Sequence, residues 1–315
     1  MKLDVVVPTF RRSQLLRRTI ASLLEASPPP DLEVTIVVVD NYGKDDIAAV
    51  VQELQASTDK RIVYIAEPNQ GLSNARNAGI RAGTGDLIGF IDDDEQIRYD
   101  WYEVVRREFF EPSTLFIGGP YLARENVRFP DWLPPGYHAV IGVIPPKNRS
   151  LFDESFKGIL MGGNAVIRRE VFEHVGLYSP SLGRSGKGLL SHEDGEFYDR
   201  LRGAGLRGMY VPDLAIYHEV PASRLTRNYH RRWCFWRGAS LGVMDRDSRR
   251  PTPYVFGIPR SRIGEAVYGL ALLPRHLLFT RDRGRAFAGE LAFWDLLGFI
   301  YGRFFLRVDK YYGRQ

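Results

Sequence analysis

The chain has 315 residues, 44% hydrophobic and 26% charged, with 43 Lys/Arg against 38 Asp/Glu for a net charge of +5. That composition excludes a disordered or fibrous chain and describes an ordinary globular protein large enough for a substantial core. A single cysteine, Cys234, excludes an internal disulfide and a thiolate-cluster metal site, and fits a reducing compartment. The opening MKLDVVVPTF reaches an acid at its fourth place and a proline soon after, too short an apolar stretch for a signal-peptide core, so a cytoplasmic protein is expected.

The first third alternates cleanly. LDVVVP (3–8) predicts a strand, and RRSQLLRRTIASLLEAS (11–27) repeats apolar residues at helical spacing. After PPPD come EVTIVVVD (33–40) as a strand, DDIAAVVQELQAS (45–57) as a helix and RIVYIAE (61–67) as a strand. GLSNARNAGIRAG (71–83) is a helix bounded by glycines, and DLIGFIDDD (86–94) a strand ending on acids. Strands that are continuous apolar runs, separated by helices, predict right-handed βαβ units and a parallel sheet covered on both faces.

From about Trp101 to Gly158 the pattern loosens, and FPDWLPPGYHAVIGVIPPKNRS (129–150) reads as a loop or lid. FKGILMGGNAVIRREVFEHVG (156–176) restores strand, turn and helix. SHEDGEFYDRLRGAG (191–205) is a second amphipathic helix, and RGMYVPDLAIYHEV (207–220) a strand pair around a Pro-Asp turn. There is no internal repeat. The tail holds AVYGLALLPRHLLF (266–279), too short to span a bilayer, and FAGELAFWDLLGFIYGRFFL (287–306), which is long enough but contains Glu290, Asp295 and Arg303. Arg260 to Gln315 carries ten Lys/Arg and five Asp/Glu, while the rest of the chain is charge-balanced. Two amphipathic helices of this kind lie on a membrane surface, or pack on the domain or a second subunit.

In an open parallel sheet, ligands bind outside the carboxyl ends of the strands. Three predicted strands end suggestively there: on Pro8 and Thr9, on Asp40 and Asn41, and on Asp92, Asp93 and Asp94. Adjacent carboxylates repel unless a cation relieves them, and Mg²⁺ or Mn²⁺ does so with one or two carboxylates plus substrate phosphates. On an extended chain Asp92 and Asp94 share a face and Asp93 points away. A solvated acidic turn accounts equally well for the spacing. No GxxxxGK[ST] loop occurs, and PTFRRS stands where a GxGxxG would follow the first strand, so P-loop and dinucleotide chemistry are disfavoured.

VVVPTFRR, IVVVDN, EPNQGLSNARNAGIRAGTGDLIGFIDDD, GGNAVIRREVF and SHEDGEFYDRL, in that order, resemble glycosyltransferase family 2 over roughly Leu3 to His218. The resemblance implies an inverting, nucleotide-sugar-dependent enzyme of GT-A fold. That fold is a Rossmann-like, mostly parallel sheet flanked by helices, here with a helical C-terminal extension. Implied bounds are 1–250 for the catalytic domain, with a nucleotide-binding half at 1–100 and an acceptor-binding half at 101–250, and 251–315 for the extension.

By the same resemblance Pro8 and Thr9 border the nucleotide, Asp40 accepts from the base (usually uracil), and Asn69 and Arg76 hold the base and sugar-phosphate. Asp92 and Asp94 match the DxD motif, Asp94 as direct metal ligand, with Asp93 counted among the donor-binding residues. Gly163 and Asn164 line the sugar pocket. Asp194 matches the catalytic base with Glu193 beside it, and His218 a further metal or diphosphate ligand. Implied cofactor and partners are Mn²⁺ or Mg²⁺, a UDP-linked sugar donor and a glycan or lipid-linked acceptor. Each residue also has a plainer reading: Glu193 and Asp194 as first-turn acids, His218 as a strand histidine, Arg76 as a helix-surface cation.

Single-sugar inverting transfer needs one general base and a cation for the departing diphosphate, and no second carboxylate as nucleophile. Processive relatives carry Q-x-x-R-W; NYHRRWCFWRG offers Arg232-Trp233 but has Tyr229 in place of the glutamine, which favours single addition. DNYGKDD departs from the family's usual Gly-Ser after the second strand, placing Tyr42 at that edge. The rival readings are a sugar nucleotidyltransferase, which calls for a glycine-rich loop that PTFRRS lacks, a catalytically inactive nucleotide-sugar-binding scaffold, and a nucleic-acid module. The basic tail, mixed with apolar surface, points away from nucleic acid and toward surface-polysaccharide or glycolipid assembly on the inner face of the cell membrane, or toward a homo-oligomer.

Overall fold

The computed structural model describes residues 1–41, 46–124, 127–183, 192–247, 252–280 and 282–306. Tyr42 lies outside the described residues. The chain forms two compact units: Met1–Arg124 with Ile144–Pro180 and Glu193–Glu219, and Glu125–Val143 with Ser181–His192 and Val220–Gln315.

In the first unit β1 (Lys2–Thr9), α1 (Ser13–Glu25), β2 (Glu33–Asp40), α2 (Ile47–Ala56), β3 (Arg61–Ala66), α3 (Leu72–Ala82) and β4 (Leu87–Ile91) follow the alternation expected. Next come β5 (Glu95–Ile97), α4 (Trp101–Glu108), β6 (Phe116–Gly118), β7 (Tyr121–Ala123), β8 (Ser150–Leu151), β9 (Asn164–Arg168), α5 (Arg169–Val175), α6 (Glu193–Gly203), β10 (Gly208–Tyr210) and β11 (Ile216–His218). Among the described residues one sheet has the order β3-β2-β1-β4-β9-β6-β10-β8 and a smaller one β5-β11-β7. β3, β2, β1 and β4 are all parallel, β9 runs against β4 and β6, and Thr9 sits opposite Asp40. β10 and β11 are not a hairpin: β10 pairs with β6 and β8, β11 with β5 and β7, because the turn at Val211–Leu214 passes the chain from one sheet to the other.

Helices cover both faces of the large sheet, as continuous apolar strands require. Val5 and Val7 pack with Leu16, Ile20 and Leu23 of α1 and with Trp101 and Val105 of α4. Val6, between them, faces Ala75 and Ile80 of α3, Val171 and Phe172 of α5 and Phe197 of α6. Asp4, buried in β1, is satisfied by the backbone N–H of Gly85 and by Arg169 at 3.1 Å. Gly71 enters α3 at φ 140°, a conformation open to glycine, and its N–H donates to Asn41 Oδ1 at 2.7 Å. That bond seats the first turn of α3 against the end of β2.

The second unit contains α7 (Arg227–Asp247), a two-stranded β12 (Tyr254–Val255) and β13 (Ile258–Pro259), α8 (Arg260–Leu278) and α9 (Arg283–Phe304). It takes in α7, which lies before the expected boundary at residue 250. α7 and α9 approach backbone to backbone through Gly238 and Gly242 on one and Gly298 and Gly302 on the other. A Cβ at Gly298 would stand 1.8 Å from the Phe235 carbonyl oxygen, and one at Gly302 2.0 Å from that of Ala239. α8 and α9 meet similarly at Gly269 and Gly289. Three charges of α9 are ion-paired to α7 and α8 within this bundle: Glu290 with Arg231, Asp295 with Arg237 and Arg262, Arg303 with Asp245. Among the described residues no helix is long and apolar enough to cross a membrane.

Of the stretch expected as a loop or lid (129–150), residues up to Val143 belong to the second unit and those from Ile144 to the first. The part in the second unit is packed on that unit's core. A 3₁₀ turn spans Pro135–Ile141, and Trp132 and Tyr137 lie against Cys234, Phe287 and Leu291. Two of the three aromatic side chains in FPDWLPPGY, Trp132 and Tyr137, thus contribute to this core, while Phe129 is exposed. Cys234 is fully buried, and desolvation pushes its thiol up to about 12, so it acts as a small apolar residue.

Candidate active site

Three strand ends converge at one edge of the sheet. Parallel pairing sets the ends of β1 and β2 side by side, with β4 on the other side of β1. Thr9 donates its hydroxyl to Asp93 Oδ2 at 2.9 Å, and Tyr64 of β3 donates to Asp40 Oδ2 at 2.9 Å. Asn41 Nδ2 donates to the carbonyls of Glu67 and Asn69, holding the exposed loop that carries Asn69.

The three acids are relieved by guanidinium groups. Beyond β4 the chain turns, with the Glu95 N–H donating to the Asp92 carbonyl, so the alternation of an extended strand does not hold. Asp93 and Asp94 share one partner: Arg12 Nη1 lies 2.9 Å from Asp93 Oδ1 and 3.1 Å from Asp94 Oδ2. Asp92 turns to Arg76 Nη2 at 3.2 Å. Burial, reinforced by Asp94, pushes the Asp93 carboxyl up to about 6 against the pull of Arg12 and Thr9.

Arg76 is no surface cation. Its side chain is 1% exposed, between Asp92 and Asp194, with Nη1 2.7 Å from Asp194 Oδ1 and the guanidinium over the rings of Tyr178 and Phe90. Burial opposes its charge, but Asp194 and Asp92 outweigh that and raise its pKa well above the ordinary value. Arg76 therefore ties the β4 end to the first turn of α6, where Glu193 is buried and Asp194 side-chain exposure is 13%.

Gly162 and Gly163 complete the wall. A Cβ at Gly162 would stand 2.3 Å from Asp194 Oδ1 and 2.5 Å from Arg76 Nη1; one at Gly163 would stand 2.5 Å from Glu95 Oε1 and 3.0 Å from Asp92 Oδ2. Only glycine leaves room for that approach. Asn164 is fully buried behind them, accepting from Trp101 Nε1 at 3.1 Å and donating to the carbonyls of Pro120 and Leu214. It ties β9 to its neighbours from inside the core. Glu95 is buried and accepts from the Asp92 N–H at 2.7 Å; burial, then the charges of Asp92 and Asp94, raise its pKa well above the usual carboxylate range.

His218, at the end of β11, puts Nε2 3.6 Å from Asp94 Oδ1. Among the described residues no three His, Cys, Asp or Glu side chains form a ready-made cation cage. Asp94 and His218 supply an oxygen and a nitrogen within reach of one ion. A cation held by one or two protein groups and completed by diphosphate oxygens fits that pair.

Of the residues singled out from sequence, Thr9, Asp92, Asp93, Asp94, Arg76, Gly163, Glu193, Asp194 and His218 share one neighbourhood, with Pro8, Asp40 and Asn69 along the same edge. Arg12, Glu95 and Tyr64 were missed. Arg12 closes the motif VVVPTFRR, which assigns it no role, and Glu95 directly follows the acid trio, where a fourth carboxylate is the available signal.

A mixed sheet of this topology, with an acid cluster at its strand ends and a second carboxylate brought to it from a later helix, is the architecture of a GT-A glycosyltransferase. The profile described as Glycosyl transferase family 2 matches residues 4–176, and the chain belongs to that family. It is 29% identical over 251 residues to the glucosyl-dolichyl phosphate glucuronosyltransferase of Haloferax volcanii, covering 78% of each chain. It is 27% identical over 247 residues to succinoglycan biosynthesis protein ExoM of Rhizobium meliloti, covering 77% of this chain and 74% of that one. The fold is shared with the mannosyltransferase PcManGT from Pyrobaculum calidifontis, solved in complex with GDP-Man and Mn²⁺. There the TM-score is 0.66 at 17% identity, over 96% of this chain and 87% of the other.

Proposed function

We propose that the protein transfers one sugar from a nucleoside diphosphate sugar, UDP-linked, to an acceptor hydroxyl with inversion at the anomeric carbon. The observation that carries this is the Arg76 bridge, which brings Asp194 to the acid cluster at the sheet edge. Asp194 is the base: Oδ1 is fixed by Arg76, and the carboxylate takes the acceptor's hydroxyl proton as the oxygen attacks the anomeric carbon and the bond to the diphosphate breaks. Arg76 acts by positioning, and Glu193 supports the same turn. Gly162 and Gly163 provide the close wall that the sugar needs. Asp40 accepts an imide N–H from the base, with Thr9, Pro8 and Asn69 along the nucleotide.

Asp94 and His218 would hold Mn²⁺ or Mg²⁺, which when bound offsets the charge of the departing diphosphate. Mn²⁺ in the mannosyltransferase neighbour supports metal use, while its GDP-Man makes base identity a direct point of test. The dolichyl phosphate in the name of the Haloferax relative, and the succinoglycan in that of the Rhizobium relative, support a lipid-linked or growing-polysaccharide acceptor.

Such an acceptor is met at the cytoplasmic membrane surface, and α8 supplies the face for it. Val267, Tyr268, Leu278 and Phe279 are 61%, 68%, 72% and 81% exposed, with exposed Arg260 and Arg275 on the same helix or its end. Apolar side chains beside arginines suit an anionic bilayer surface. The test of the reaction is a thermal-shift panel of UDP- and GDP-sugars with and without Mn²⁺, since a ligand of the native state raises its melting temperature. The anomeric form of the product is then read by NMR. No stabilisation by any nucleotide sugar would sink the reading.

A further inference from the structure

We propose that Arg12 is the resident counter-ion of the acid edge, and that it gives up Asp94 to the divalent cation when the diphosphate arrives. The inference rests on the glycosyltransferase reading and assigns a role to a residue which that reading leaves without one.

The geometry is specific. A single guanidinium nitrogen of Arg12 spans Asp93 Oδ1 at 2.9 Å and Asp94 Oδ2 at 3.1 Å. The opposite oxygen of Asp94 is the one that faces His218 Nε2 at 3.6 Å. A cation bound between Asp94 and His218 would therefore share its carboxylate with a fixed positive charge. Like charges at that range oppose each other even with effective screening. Two cations cannot both be held tightly there until a polyanion is present.

Arg12 is also built to leave. Its side chain is 40% exposed, whereas that of Arg76, the other guanidinium on the trio, is 1% exposed. It stands at the residue before α1 and makes no side-chain cap there. Arg11, beside it, has φ 59°, left-handed backbone in a non-glycine residue, a strain of the kind that clusters at ligand clamps and switch regions. When Arg12 departs, Asp93 keeps the Thr9 hydroxyl at 2.9 Å. The freed guanidinium then lies at the mouth of the edge, where a diphosphate is a better partner than one carboxylate. Metal and nucleotide should consequently load together: metal alone competes with Arg12, and the nucleotide removes the competitor.

The experiment is Mn²⁺ binding to the full chain followed by EPR, first without nucleotide and then with UDP. Wild type should bind Mn²⁺ weakly alone and more tightly with UDP. Arg12→Met should bind Mn²⁺ alone about tenfold or more tightly than wild type, the size expected from deleting a neighbouring unit charge. Arg12→Lys, which keeps the charge, should stay near wild type, and adding Asp94→Ala to Arg12→Met should abolish the gain. Circular dichroism checks that each variant is folded. Equal Mn²⁺ affinity for wild type and Arg12→Met without nucleotide, where UDP still brings Asp94-dependent Mn²⁺ to wild type, overturns the role of Arg12 and leaves the glycosyltransferase reading standing. Absence of Asp94-dependent Mn²⁺ in every condition overturns both this role and the metal assignment.

Discussion

Arg76 donates to Asp194 across 2.7 Å, a sealed guanidinium holding a carboxylate 118 positions away in sequence. The same guanidinium reaches Asp92, so one side chain sets the spacing between the acid trio and the proposed base. Asp194→Asn should leave donor affinity near that of wild type, while transfer falls by about 10²–10⁴-fold, the usual contribution of a positioned base. Arg76→Met should do more, because it strands buried charge; breaking such a pair costs roughly 3–5 kcal/mol. Chemical denaturation and single-turnover transfer assays separate the two. Normal transfer by Asp194→Asn would mean that the base is another residue.

Asp94 stands between Arg12 and His218. Asp94→Ala should weaken the metal-dependent part of UDP binding, with little change in the metal-free part. Calorimetry in Mn²⁺ and in EDTA measures both. An unchanged difference between the two conditions would remove Asp94 from the cation site.

The glycine contacts of α7 and α9 leave no space for a side chain. Gly298→Ala places a methyl 1.8 Å from a backbone oxygen, so the helices must separate. Overpacking of this kind costs about 1–3 kcal/mol or more. The melting transition of the second unit should fall, while the nucleotide-induced shift of the first persists if that unit remains folded. An unaltered melting curve would show that α7 and α9 are not packed this way.

His230 is fully buried, with Trp132 and Phe287 edge-on to it, and burial lowers its pKa from 6.5 to about 4. The folded state thus binds this proton less readily than the unfolded chain. Its stabilising effect is complete above pH 6.5 and is lost as pH falls from there toward 4. At pH 5 the loss is on the order of 1–2 kcal/mol. Melting temperature should therefore drop on acidification, and His230→Leu should flatten that part of the profile. Parallel curves for the two proteins between pH 7 and 4.5 would contradict the assignment.

The exposed face of α8 predicts attachment to anionic vesicles. Removing the tail from Ser261 onward is a poor test, because it strips α8 and α9 from α7 and exposes the interior of the bundle. Val267→Glu with Tyr268→Glu changes the surface alone, since both side chains are mostly exposed. Co-sedimentation with phosphatidylserine vesicles should fall several-fold, each charge near such a surface being worth about 1 kcal/mol. Equal sedimentation of wild type and variant would remove the membrane from the account.

The β-branched runs and the helical periods between them determined the nucleotide-side half of the sheet. Each of those elements is stabilised by a local pattern and a face, so LDVVVP, EVTIVVVD and RIVYIAE could be placed from their own residues. The convergence of Thr9, Asp40 and Asp92 to Asp94 followed too, because parallel strands with right-handed crossovers leave their carboxyl ends on one edge. Tertiary structure alone decided what neutralises the acids. A cation was expected from charge repulsion, but only the fold brings Arg12 to Asp93 and Asp94, and Arg76 to Asp92 and Asp194, over sequence separations of 81, 82, 16 and 118. It also decided that Glu290, Asp295 and Arg303, which read as obstacles to a membrane span, are bundle ion pairs, since a charge shows its sign in a sequence but its partner only in space.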